Sequence, residues 1–392
     1  MDPWIKSEEK PKRALVLIFN HLNPESGDLA LLPHFQRLKN RSLSFEQAWL
    51  GHLFATPAVS NLVLTTGLSP RHLPWDDVLW EDKRGILGKK GAFHAIENLS
   101  PSGLNKILTP VAPSLLKQIP GSANSKLVVA PNTAEAYSLA SPGFVSQIVT
   151  GSPSPTQREE TWVTDEVLSF LKSQPDWKLV LAMFSNSLTD LFQVDEQLGR
   201  ILTCLEENKL LSDTVIILTS HPTQPAKTRF DAPKPENIQT EVKDTVLRFH
   251  LKNKDEKSVL KFSASLKTKP ELSEVHYKKE ISGRFHYIKN FRSSELEGSQ
   301  LEWAKNQVPS LLQSLASEKS PDVLAFTAFD PQRVPLLVWS PNLRLDNPVI
   351  KNQLEQTRVR FVDIHPILLE LMGLPIEPGS DGSSLGIKSL IY

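Results

Sequence analysis

Polar side chains stand where the apolar runs of this sequence stop. "RALVLIF" (Arg13 to Phe19) is followed by Asn20 and His21, "KLVLAMF" (Lys178 to Phe184) by Ser185, Asn186 and Ser187, and "TVIILT" (Thr214 to Thr219) by Ser220 and His221, while Arg333 precedes "PLLVW" (Pro335 to Trp339). Amides, hydroxyls and an imidazole gathered at strand ends would form a pocket of neutral donors and acceptors. Such a pocket suits an uncharged or anionic small molecule, for example a sugar or a phosphate group. Arg333 adds a planar guanidinium fork that suits a bidentate hold on phosphate, sulfate or carboxylate, or else a structural ion pair. In "ATPAVSNLVLTTGLSPRHLPWDD" (Ala55 to Asp77), Pro57 at the first helical position makes Thr56 a natural N-cap and sets Ser60 one turn further on.

The runs themselves are continuous and rich in Val, Leu and Ile, as strands covered on both faces of a mostly parallel sheet are. Helical patterns lie between them: "PHFQRLKNR", "TWVTDEVLSFLKSQ" and "LFQVDEQLGRILTCLEENKLL". In the last, Phe192, Val194, Leu198, Ile201, Leu202, Leu205 and Leu210 recur at helical spacing. The expected fold class is therefore α/β, a mostly parallel central sheet sandwiched by helices. From about Pro233 to Arg292 the pattern changes to "TVLRFHLKN", "VLKFSASLKT" and "GRFHYIKNF", with charges on alternate positions. These read as antiparallel strands with one wet face. The expected organisation is a core of residues 1–232 and 321–392 with an inserted β-rich and helical cap at 233–320. "GSPSPTQ" (Gly151 to Gln157) reads as a loop.

Composition narrows the classes. Lys+Arg 44 balances Asp+Glu 44 in 392 residues, which removes the global electrostatic reason to expect nucleic acid or an anionic membrane as partner. One cysteine, Cys204, excludes an intrachain disulfide framework and a multi-thiolate zinc site. It sits in an apolar helical pattern as an inert buried thiol. No run of about eighteen uncharged apolar residues occurs, so no integral membrane segment is expected and the chain reads as soluble. The opening "MDPWIKSEEKPKR" lacks an apolar stretch. A periplasmic or secreted location would follow if a signal peptide has been removed. There is no Gly-rich phosphate loop and no Gly-x-Ser-x-Gly elbow. The Lys-rich part of the insert, Lys278 and Lys279 included, reads as a solvated strand face, with a basic docking face as the alternative.

Collinear segments carry a resemblance over most of the chain outside roughly Pro222 to Ser320. "ALVLIFNHLNP", "LPHFQRLKNRSLSFEQAW", "TGLSPRHLPWDD", "VDEQLGRILTCLEENKLLSDTVIILTSHP", "RVPLLVWSPNL", "VRFVDIHPILLELMGLP" and "SDGSSL" follow in the order of the alkaline phosphatase superfamily. The sequence resembles its nucleotide pyrophosphatase/phosphodiesterase and sulfatase branches. That resemblance implies one or two divalent metals held by carboxylates and imidazoles at strand ends, and a Thr, Ser or modified Cys nucleophile activated by metal. Position by position the pattern is eroded. Asn20 stands where the family places a metal-binding Asp, and Pro57 falls at the attacking position, with Thr56 beside it. Ser220 replaces the Asp of the late Asp-His pair, and only His221 is kept. No His precedes the "VD..LG" helix, where Asp190 is the nearby carboxylate apart from Asp195. The last His is absent, and Asp330, Gln332 and Arg333 stand there instead.

Two readings follow. In the first, the chain is a pseudoenzyme-like binding protein of this superfamily that needs no cofactor. Its neutral pocket is lined by Asn20, Thr56, Ser60, Asn186, Ser220, His221 and Arg333, and it takes a small anionic or sugar-like ligand. In the alternative, it is an active metal-dependent phosphodiesterase, phosphatase or sulfatase-like hydrolase. Thr56 or Ser60 would then be the nucleophile. His221 would be a ligand or general base, and Asp190 or Asp330 would be recruited to hold zinc, manganese or calcium.

Overall fold

Along the first part of the chain lie β1 (Arg13–Asn20), α1 (Pro33–Arg41), β2 (Leu43–Ser44), β3 (Gln47–Trp49), α2 (Pro57–Thr66), β4 (Leu79–Asp82), β5 (Ala92–Ala95), α3 (Pro101–Leu108) and α4 (Leu115–Gln118). There follow β6 (Lys126–Ala130), α5 (Thr133–Leu139), β7 (Gln147–Thr150), α6 (Glu159–Ser173), β8 (Leu179–Phe184), α7 (Leu191–Glu207) and β9 (Thr214–His221). The rest comprises β10 (Ile238–Lys243), β11 (Val246–Leu251), α8 (Glu256–Ser265), β12 (Leu272–Ile281), β13 (Arg284–Arg292), β14 (Val323–Thr327), β15 (Leu336–Trp339), α9 (Pro348–Glu355), β16 (Arg358–Arg360) and α10 (Ile364–Leu371). This computed structural model describes the chain outside residues 1–3, 5–8, 21, 23–26, 51–56, 70–71, 74–78, 83, 91, 96–97, 109–113, 144, 146, 152–157, 185–190, 222–237, 244–245, 253, 267–271, 293–311, 313–320, 328–332 and 392.

The four apolar runs become strands of one seven-stranded sheet in the order β2-β15-β9-β1-β8-β6-β7. The inner pairs β9-β1, β1-β8, β8-β6 and β6-β7 are parallel, and β15 joins β9 antiparallel. Every residue of β8 and β9 is buried. Alternation sends Ala14, Val16 and Ile18 into a core shared with α2, α3, α5 and α10, and Leu15, Leu17 and Phe19 into a second core shared with α1, α6 and α7. Two covered faces explain why these runs show no polar alternation. Cys204 is buried in α7, where burial raises its thiol pKa.

The seating of α1 depends on a residue far away in sequence. Leu32 precedes it and offers no capping oxygen. Asp195 of α7 supplies it instead, accepting from the backbone N–H of His34 at 3.0 Å and of Phe35 at 2.7 Å. Gly199 lets the helices approach: a Cβ there would lie 2.6 Å from the His34 ring.

Contacts divide the chain into one unit of residues 1–50, 55–223 and 332–392 and another of 51–54 and 224–331. The second unit holds a five-stranded antiparallel sheet in the order β10-β11-β14-β12-β13. Two expectations are corrected here. The return to the core is not at residue 321, because Val323–Thr327 is the central strand of this second sheet. "VLKFSASLKT" is largely helical rather than a strand: Asp255 caps α8 through the Ser258 N–H, and Val259, Phe262 and Leu266 fall on the face packed into the small core. Lys278 lies 3.5 Å from Asp322 and Lys279 lies 2.6 Å from Glu256, so both ammonium groups have a carboxylate beside them.

Candidate functional site

β1 and β9 run side by side in register, so that Phe19 pairs with Ser220 and Asn20 with His221. The amide and the imidazole therefore end adjacent strands, as their positions after the apolar runs suggested. Both are almost wholly buried, at 7% and 2% exposure. Arg333 comes to the same end of the sheet, because antiparallel β15 sets Leu336 opposite Thr219 and begins where β9 stops. Its backbone bridges Trp49, and its side chain is exposed.

Two of the described groups at this end donate to the protein itself. The Ser220 hydroxyl donates to the main-chain oxygen of Leu22 at 2.9 Å. His221 Nε2 lies 2.8 Å from Asn61 Oδ1, and its ring rests against Phe361 with centroids 5.6 Å apart. Asn61 sits one turn into α2, and its Nδ2 donates to the carbonyl of Glu135 and to Ser138 Oγ, both at 3.2 Å, with Met183 Sδ at 3.6 Å. A main-chain carbonyl can only accept, so the amide group of Asn61 must face Glu135 and its oxygen must face His221. The imidazole therefore donates through Nε2–H.

Ser60 is fully buried within α2. α2 begins at Pro57, in the frame that would put Thr56 just ahead of the first turn. Thr56, Asn186, Asp190 and Asp330 lie outside the described residues.

Sequence reasoning passed over Asn61 and Glu135. A carboxamide inside "AVSNLVL" was the available signal, since a buried amide in an apolar helix must find several partners. Glu135, in the first turn of α5, has its carboxyl pKa raised to about 7 by burial and, secondarily, by the charge of Glu159. No sequence pattern marked that pair.

A dication at a strand end needs anionic oxygens and free imidazole nitrogens converging from several elements. Here Asn20 and Ser220 are neutral, the Ser220 hydroxyl donates to a protein acceptor, and no group of three or more His, Cys, Asp or Glu able to hold a metal occurs among the described residues. The described donors do not fit the metal that the resemblance implied.

No protein-family model matches the sequence, and no curated protein matches it. The fold does match solved structures. Murine ectonucleotide pyrophosphatase/phosphodiesterase 5 superposes with a TM-score of 0.59 at 14% identity, covering 97% of this chain and 100% of that one. An inactive variant of it in complex with AMP gives 0.58 at 13% identity, over 97% and 100%. Wild-type alkaline phosphatase PafA gives 0.59 at 11% identity, over 98% and 99%. This chain has the alkaline phosphatase fold. Within that fold the ends of β1 and β9 carry Asn20, Ser220 and His221. No helix among the described residues is long and apolar enough to cross a membrane.

Proposed function

We propose that this chain is a ligand-binding protein on an alkaline phosphatase-like core that works without a bound metal. The carrying observation is the hydrogen-bond chain from His221 through Asn61 to the Glu135 carbonyl, which commits Nε2 of the one retained imidazole to the protein itself. Protein hydrogen bonds thus hold β9, α2 and α5 together at the sheet end. Asn20 and Ser220 are neutral, so neither of these two described residues attracts a dication. The ligand class that suits neutral groups beside Arg333 is a small molecule bearing a phosphate or a sugar. A fold neighbour solved in complex with AMP supports a nucleoside monophosphate as the first probe.

The test is calorimetric titration with AMP and with inorganic phosphate, in EDTA and again with zinc, manganese or calcium. The reading expects binding that EDTA leaves unchanged and Arg333→Ala weakens. Binding that appears only with a metal would contradict it.

A second reading, a hydrolase with Thr56 as nucleophile, is favoured by the start of α2 at Pro57. A helix N-terminus there would attract a phosphoryl or sulfuryl group to the residue that precedes it. Turnover of an aryl phosphate, phosphodiester or sulfate that Thr56→Ala abolishes would establish this second reading.

A further inference from the structure

The core carries a cleft of about 400 Å³ at the opposite end of the sheet from Asn20 and His221. Lys10 reaches it from just ahead of β1, and Asn342 from just beyond antiparallel β15, so both lie where the parallel strands begin. α10 ends beside it. Gly373 (φ +66) closes the helix by donating to the Glu370 carbonyl at 2.9 Å, and Leu374 N–H donates to the Leu369 carbonyl at 2.8 Å. Asn342 Nδ2 donates to the Leu371 carbonyl at 3.0 Å. The helix end is therefore satisfied by main chain and amide, and its carbonyls need no charged partner.

Three charged side chains nevertheless line the same cleft: Lys10, Lys388 and Glu370. None forms an ion pair within 4.0 Å among the described residues, and Glu370 Oε2 is shielded from water with no hydrogen-bond donor. Lys10 lies across Gly373 so closely that a Cβ there would meet its Cδ, Cε and Nζ at 2.5–2.7 Å. Attraction to the helix dipole accounts for Lys10 alone. Glu370 stands in the last turn of α10, where a carboxylate opposes the dipole, and it is half-buried. Stability thus gives no reason for a glutamate here, and an unpaired, shielded carboxylate oxygen is unfavourable. Leu371, Leu374 and Ile391 add an apolar wall to the three charges.

We propose that this cleft binds a small zwitterion with an apolar body, an α-amino acid being the simplest member of the class. Its carboxylate meets the ammonium groups of Lys10 and Lys388, its ammonium meets Glu370, and its side chain covers Leu371, Leu374 and Ile391. The site is independent of the strand-end pocket, so AMP binding and zwitterion binding can fail separately.

L-leucine is the probe, titrated against the full chain by amide NMR with 4-methylpentanoate and isopentylamine as analogues that each lack one charged group. The expected result is saturable shifts around Gly373 and Lys388 with a dissociation constant of about 1 mM. Both analogues, the isosteric Glu370→Gln variant and the Lys10→Met/Lys388→Met double variant should bind at least about tenfold more weakly. An absence of saturable shifts overturns the proposal. So does equal binding of leucine and either analogue, or a Glu370→Gln variant that binds leucine as the parent chain does.

Discussion

Asn61 Oδ1 accepts a hydrogen bond from His221 Nε2–H at 2.8 Å, between the first turns of α2 and the last residue of β9. The donor and acceptor roles are imposed from outside the pair by the Glu135 carbonyl, which the Asn61 amide must serve. One buried carboxamide therefore sets which nitrogen of the imidazole carries the proton. It also joins the helix that starts at Pro57 to the strand that carries the only retained member of the expected metal set.

Replacing Asn61 with Leu should leave His221 Nε2–H without its buried acceptor, while the Ser138 hydroxyl and the Glu135 carbonyl keep the 2.8 Å hydrogen bond between them. The expected loss is about 2–4 kcal/mol, from leaving one or more buried polar groups unsatisfied. Urea denaturation measures it. A midpoint unchanged from the parent chain would show that the amide carries no structural weight.

Asp195→Ala should unseat α1 by leaving the His34 and Phe35 N–H groups without their acceptor. Caps of this kind are worth about 1–2 kcal/mol. Hydrogen exchange at those two amides should accelerate more than exchange within β8. Equal protection before and after the substitution would refute the role.

How much of this was legible beforehand depended on range. The strands were legible because burial on both faces needs only uninterrupted Val, Leu and Ile, as in "KLVLAMF". Cys204 was legible as inert because its neighbours in the helical repeat are apolar. The helix at Glu256–Ser265 was misread because Leu260, Phe262, Ala264 and Leu266 alternate with polar residues as a strand would, and its cap, Asp255, lay just ahead of that segment. Asp195 looked like a spare carboxylate near Asp190, and its duty to α1 is a contact across about 160 positions that no local pattern encodes. The engagement of His221 by Asn61 was hidden for the same reason. Resemblance pointed to the imidazole, but only packing shows what it touches.

His365 is fully buried in α10, with Nδ1 3.1 Å from the Thr65 carbonyl, and burial lowers its pKa to about 4. The unfolded chain holds the proton up to its ordinary value near 6.5, so the folded state binds fewer protons between about 4 and 6.5. The contribution is complete above the unfolded value and is lost as pH falls through that window, amounting to roughly 3 kcal/mol. Denaturation at pH 7 and pH 4 should show a smaller difference for His365→Gln than for the parent chain. An identical pH dependence would contradict the assignment.

Glu135 runs the other way. Burial, then Glu159, raises its folded pKa to about 7, so between its unfolded value and 7 the folded chain holds the extra proton and loses stability as pH rises. Glu135→Gln should therefore raise the melting temperature at pH 8 and leave it nearly unchanged at pH 5. A uniform shift at both values would mean that the carboxyl does not titrate there.

The most direct measurement is the metal content of the purified chain after dialysis against zinc, manganese and calcium, read by mass spectrometry alongside the same measurement on His221→Ala. Neutral groups at the ends of β1 and β9 predict no stoichiometric dication in either protein. One or more metal ions per chain, lost in His221→Ala, would contradict the account.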